Sequence, residues 1–107
     1  MIAVDTNIVV RFLTNDDEEQ HQLSRALFQT QSIFLSDTVI LETEWVLRFT
    51  YSFNPDDICA ALNQLLGLPN VQAIDANRIA QALQWHKNGL GFADAFHLVC
   101  SQRTFRR

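Results

Sequence analysis

Short apolar runs alternate along this chain with longer segments of helical periodicity. Ile2-Ala3-Val4, Ile33-Phe34-Leu35 and Val71 to Ile74 are too short for helices and read as three buried strands. Each precedes residues suited to opening a helix. Asp5-Thr6-Asn7 leads into a helix through Ile8 to Leu13, and Asn15-Asp16-Asp17-Glu18 supplies a cap and first-turn acids for a second, running to about Gln31. Ser36 or Asp37 caps a third from Thr38 to about Phe53. Asn54-Pro55-Asp56-Asp57 sets a cap, a proline at the first helical position and acids after it, and that helix ends near Gly67-Leu68-Pro69. Asp75 caps a fifth to about Asn88, Asn88-Gly89-Leu90-Gly91 breaks it, and a last helix runs from about Ala93. Strands alternating with helices predict an α/β fold on a short parallel sheet, with more helices than strands.

The length of 107 residues fits a single domain, 1–107. At 48% hydrophobic and 19% charged the chain can bury a core and is not disordered by composition. The formal charge is -4, which argues against holding nucleic acid by bulk electrostatics unless some carboxylates are occupied by a cation. Cys59 and Cys100 show neither C-x-x-C nor zinc-ligand spacing and read as two buried thiols in a reducing compartment. No signal-peptide core precedes Asp5, and the longest uncharged stretch, Ile58 to Ile74, is broken by polar residues and Pro69. The expectation is a cytoplasmic protein with no membrane contact.

Three acids stand where apolar residues would be expected. Asp5 closes an apolar strand, and the carboxyl ends of parallel strands are where open α/β sheets place ligands. Its plain alternative is a helix N-cap. On a helical wheel with Glu42 at zero, Val46 falls at about 40°, Val39 at about 60°, Phe49 at about 340° and Trp45 at about 300°. Glu42 then sits amid an apolar stripe, to be paired, protonated or cation-bound. Glu44, at about 200°, and Arg48, at about 240°, read as a solvent-facing i,i+4 pair. Asp94, in Phe92-Ala93-Asp94-Ala95-Phe96, opens a largely apolar helix. Together Asp5, Glu42 and Asp94 would make a hard-oxygen site suited to Mg²⁺ or Mn²⁺. His21, His86 and His97 read as surface or packing residues. Setting the three acids aside leaves nine acidic against eight basic residues, so a cation-loaded site would sit in a nearly neutral protein.

Asp5-Thr6-Asn7-Ile8-Val9, Glu42 within Val39-Ile40-Leu41-Glu42-Thr43-Glu44-Trp45-Val46-Leu47, and Phe92-Ala93-Asp94-Ala95 resemble the PIN domain, and within it the VapC toxins of bacterial toxin–antitoxin pairs. The likeness implies a three-layer α/β/α fold and a metal-dependent ribonuclease acting on structured RNA of the translation machinery, tRNA or rRNA. It further implies a VapB-like antitoxin partner. Asp5, Glu42 and Asp94 take the positions of the first three family acids, and Thr6 that of the hydroxyl beside the first. Asn7 and Arg11 are added as candidate substrate contacts. The family usually continues into a strand ending Thr-Phe-Asp; here Thr104-Phe105 is followed by Arg106 and arrives early. The C-terminal strand is therefore expected to be lost, truncated or altered, exposing an edge that would favour a homodimer or antitoxin complex.

Two rival readings stay open on sequence grounds. Phosphatases of the haloacid dehalogenase type also start with an Asp after a strand, but need Asp-x-Asp; the third position here is Asn7, and Lys87 is the one lysine. The other rival is a catalytically impaired PIN-like module that mainly binds an antitoxin or itself.

Overall fold

The computed structural model describes residues 1–97; the expectations for Cys100 and for the C-terminal strand, Thr104-Phe105-Arg106 included, lie outside the described residues. The elements run β1 (Ile2–Ala3), α1 (Thr6–Leu13), α2 (Glu18–Thr30), β2 (Ile33–Leu35), α3 (Asp37–Phe49), α4 (Pro55–Leu66), β3 (Val71–Ala73) and α5 (Ala76–Lys87). Residues 92–97 are again helical. The three strands form one parallel sheet in the order β1-β2-β3, with Ile2 opposite Ile33 and Ile33 opposite Val71.

The helix starts follow from local side-chain bonding. Asp5, Asp17, Ser36, Asn54 and Asp75 each adopt extended backbone and accept a hydrogen bond from the N–H three residues on. Each satisfies a helix-terminal donor that would otherwise lack a partner. At the other end of α2, the Asn70 amide donates to the carbonyls of Phe28 and Gln31, so the residue before β3 also closes a helix.

Two expectations need correction. The third helix stops at Phe49 rather than near Phe53. The chain then turns through Ser52 (φ 58°), and the Phe53 N–H returns to the Leu47 carbonyl at 3.0 Å. The physical cause lies just ahead, since Pro55 forces Asn54 out of helical backbone and Asn54 is itself the next cap. Nor is the first strand buried. Ile2 and Ala3 are exposed and only Val4 enters the core, because β1 has β2 on one side and no second strand neighbour among the described residues.

The core is built on Ile33 and Leu35 of β2, both fully buried. Around them lie Val9, Phe28, Ile40, Leu47, Ile58, Leu62, Leu65, Ile79 and Leu83, one or more from each helix α1 to α5. Helix α1 packs against α2 and α3, and α4 against α3, α5 and β3. Cys59 is buried, its thiol donates to the Leu83 carbonyl, and burial pushes its pKa up, so it behaves as an inert core thiol. No helix among the described residues is long and apolar enough to cross a membrane.

Candidate active site

Packing of α1 on α3 brings the end of the first strand against the middle of the third helix. Asp5, Thr6 and Asn7 from the start of α1 and Val39, Glu42 and Val46 from α3 line an open cleft of about 330 Å³. Asp5 is the N-cap of α1, the plain alternative read from sequence. Its Oδ1 accepts from the Ile8 N–H at 3.0 Å as an N-cap, and no described residue bonds its Oδ2. Glu42 has no hydrogen-bond or ion-pair partner among the described residues. The cleft therefore holds two carboxylates with unused oxygens, a hydroxyl and a side-chain amide.

Such a donor set fits a hard divalent cation. Mg²⁺ needs only one or two protein carboxylates and keeps several waters or substrate oxygens. The expected meeting of all three acids is not found: Asp94 is exposed in the first turn of the 92–97 helix, its Oδ2 lying back toward Gly91, and it does not line the cleft. Among the described residues no three His, Cys, Asp or Glu side chains are grouped to hold a metal. Arg11 also stands apart, because its guanidinium faces Asp17 at 3.7 Å.

The largest departure concerns the two glutamates of α3. Glu42 is exposed, whereas Glu44 is 2% exposed. The i,i+4 bond from Arg48 to Glu44 forms as expected, but at the edge of the core rather than in solvent. Arg48 Nε donates to Glu44 Oε2 at 2.7 Å and Nη2 to Oε1 at 3.2 Å, and these bonds hold the guanidinium pKa above its ordinary value. Behind Glu44 lies His86 of α5, buried as a packing residue. Its Nδ1 donates to the Leu90 carbonyl at 2.9 Å, its ring meets Phe92 edge-on, and its Nε2 is 4.0 Å from Glu44 Oε2 without a hydrogen-bond partner among the described residues.

The wheel misassigns the glutamates because α3 carries two apolar faces. Ile40 at about 160°, Thr43 at about 100° and Leu47 at about 140° form the buried one and take Glu44 with them. The opposite face keeps Val39 and Val46 half-buried and leaves Trp45 and Phe49 55% and 59% exposed. Sequence reasoning places those aromatics in the core. Thr43, fully buried with its hydroxyl bonded to the Val39 carbonyl, is the missed signal, since a threonine satisfied within its own helix can face a core.

The short parallel sheet flanked by helices agrees with the family comparison. The family model for the PIN domain matches residues 2–104, and the chain belongs to that family. Among solved structures it is similar to the Mycobacterium tuberculosis toxin VapC20, described as a sarcin–ricin loop cleaving toxin. The TM-score is 0.53 at 21% identity, covering 97% of this chain and 83% of that one. A comparison with curated protein sequences finds no significant match.

Proposed function

We propose that this protein is a VapC-type endoribonuclease toxin that hydrolyses RNA phosphodiester bonds with a bound Mg²⁺ or Mn²⁺ ion. The observation that carries the reading is the meeting of Asp5 and Glu42 in one open cleft at the end of β1, in a chain of the PIN family. Asp5 and Glu42 would hold the ion, with Asp94 as the third family acid. When bound, such an ion polarises a phosphate oxygen and lowers the pKa of a coordinated water.

The residues themselves have separable tasks. Asp5 is fixed by its cap bond, which directs one oxygen to the helix and leaves the other to the cleft. Glu42, without a partner among the described residues, can accept a proton or orient a water. Thr6 and Asn7 supply a hydroxyl and an amide to hydrogen-bond phosphate oxygens, and the N-terminus of α1 favours anionic charge there. Arg11, paired to Asp17, would contact RNA only at the margin of the site.

The same reading takes an RNA of the translation machinery as substrate, the cytoplasm as setting and a VapB-like antitoxin as inhibitor. Among the described residues β1 has no second strand neighbour, which leaves an edge on which a homodimer could pair. Asp94's place outside the cleft favours the second reading, a catalytically impaired module.

Purified protein incubated with structured RNA and Mg²⁺ or Mn²⁺ separates the two. Cleavage should occur and fall by about two orders of magnitude or more in Asp5→Asn. Asparagine is a good N-cap, so the variant should keep its fold. RNA binding without cleavage, or cleavage indifferent to Asp5→Asn, would overturn the ribonuclease reading.

A further inference from the structure

Resting on the ribonuclease reading, we propose that Trp45 and Phe49 form a stacking surface for an unpaired base of the RNA whose phosphate enters the Asp5–Glu42 cleft. Among the described residues these are the two large aromatics left mainly exposed; the others are buried or half-buried. They continue the face of α3 that carries Glu42 and Val46, which line the cleft. Trp45 is one turn from Glu42 and Phe49 two, about 4.5 Å and about 10.5 Å along the axis. That is within reach of the nucleotide attached to a phosphate in the cleft, or of the next one.

The surface is held in place from within the fold. Phe49 packs against Trp45 with ring centroids 5.0 Å apart and an interplanar angle of 48°. The Arg48 guanidinium lies 4.4 Å from the Phe49 ring centroid, and Arg48 is itself gripped by two bonds to the buried Glu44. The pair is thus braced before any ligand arrives, which lowers the ordering cost of binding. A flat, aromatic and partly cationic surface suits a nucleobase, since proteins hold unpaired bases by stacking them on aromatic rings and arginine planes. A second copy of the chain suits it less, because covering these rings symmetrically would also crowd two Glu42 carboxylates, unpartnered among the described residues, at the interface. A base needs to cover only the rings, and its phosphate is directed to the cation-bearing cleft.

The test uses the Asp5→Asn protein with Mn²⁺, so that RNA is bound but not cut, and reads anisotropy of a labelled single-stranded oligoribonucleotide. Trp45→Ala should weaken binding roughly tenfold and Phe49→Ala by several-fold, while Trp45→Phe stays within about threefold. Fully paired RNA should be bound equally by all of them. With Asp5 intact, Trp45→Ala should raise KM for a substrate with unpaired bases and leave kcat within about twofold. Equal single-strand affinity of Trp45→Ala, in a protein that still cuts RNA, would overturn the stacking surface and leave the ribonuclease standing. A dimer in light scattering that Trp45→Ala converts to monomer, at unchanged RNA affinity, would overturn it in favour of contact between copies. Absence of both RNA binding and cleavage in the unsubstituted protein would instead remove the ribonuclease reading, and the stacking surface with it.

Discussion

Helix α3 carries two glutamates, two residues apart, in opposite environments. Glu44 is buried among Ile40, Leu47 and His86, with both oxygens bonded by Arg48. Glu42 is exposed beside Asp5, with no protein partner among the described residues. The buried acid is the one that looks unusual by position, yet its bonding capacity is spent inside the fold. The exposed one looks ordinary and retains the lone pairs that a cation or a water requires. For a carboxylate, unused bonding capacity in a concave site says more about chemistry than burial does.

The sharpest way to break this contrast is to remove each acid in turn. Glu42→Gln should reduce RNA cleavage by at least about tenfold and leave the melting temperature nearly unchanged, since an exposed residue with no partner among the described residues contributes within about 0.5 kcal/mol. Glu44→Ala should do the reverse. Losing two charge-assisted hydrogen bonds at the core edge should cost about 2 kcal/mol, measured by urea unfolding, with kcat within a few-fold. Part of that cost is relieved because the Arg48 side chain is 42% exposed and can turn to water. If Glu42→Gln destabilised more than Glu44→Ala, the assignment of the two acids would be reversed.

A smaller effect follows from the open oxygens of the cleft. An ion that binds only the folded state stabilises it by about 1.4 kcal/mol at ten times its dissociation constant, or several degrees for a domain of this size. Millimolar Mn²⁺ should raise the melting temperature by that amount, much less in Asp5→Asn, and unchanged in Glu44→Gln. Equal shifts in all three proteins would show that the ion acts elsewhere than between Asp5 and Glu42.

Asp16 sharpens the comparison further because it is exposed, like Glu42, yet partnered, like Glu44. The Tyr51 hydroxyl donates to its Oδ2 at 2.7 Å, tying the turn after α3 to the turn before α2. That bond is the main cause holding the Asp16 carboxyl below its ordinary value, and the same bond holds the Tyr51 hydroxyl above its own. A depressed carboxylate contributes stability above its unfolded value that is lost as pH falls through the folded one. The raised tyrosine keeps its contribution below the ordinary phenol range and loses it at higher pH. Stability should therefore decline slightly below about pH 4 and above about pH 10, and Tyr51→Phe should flatten both limbs. Unchanged pH profiles in that variant would mean that the bond has no share in folding.

The sequence carried most of the element map because the signals for it are local. The caps at Asp5, Asp17, Asn54 and Asp75 act on an N–H three residues away, and Pro55 excludes helix at its own neighbour. The motif around Asp5 and the helix carrying Glu42 were legible on the same terms, and they are the pair that lines the cleft. The facing of α3 was not legible. A helix with Val39, Val46, Trp45 and Phe49 on one side and Ile40, Thr43 and Leu47 on the other offers two faces of similar hydrophobicity, and no rule of spacing ranks them. Contacts with α1 and α4, made by residues distant in the chain, settled it. They turned Glu44 inward to meet Arg48 and His86 and left Glu42, Trp45 and Phe49 in the open. Caps and turns depend on a few adjacent residues and survive any tertiary arrangement. Which side of an evenly apolar helix meets the core depends on how much surface the whole fold can bury, and only the assembled molecule decides that.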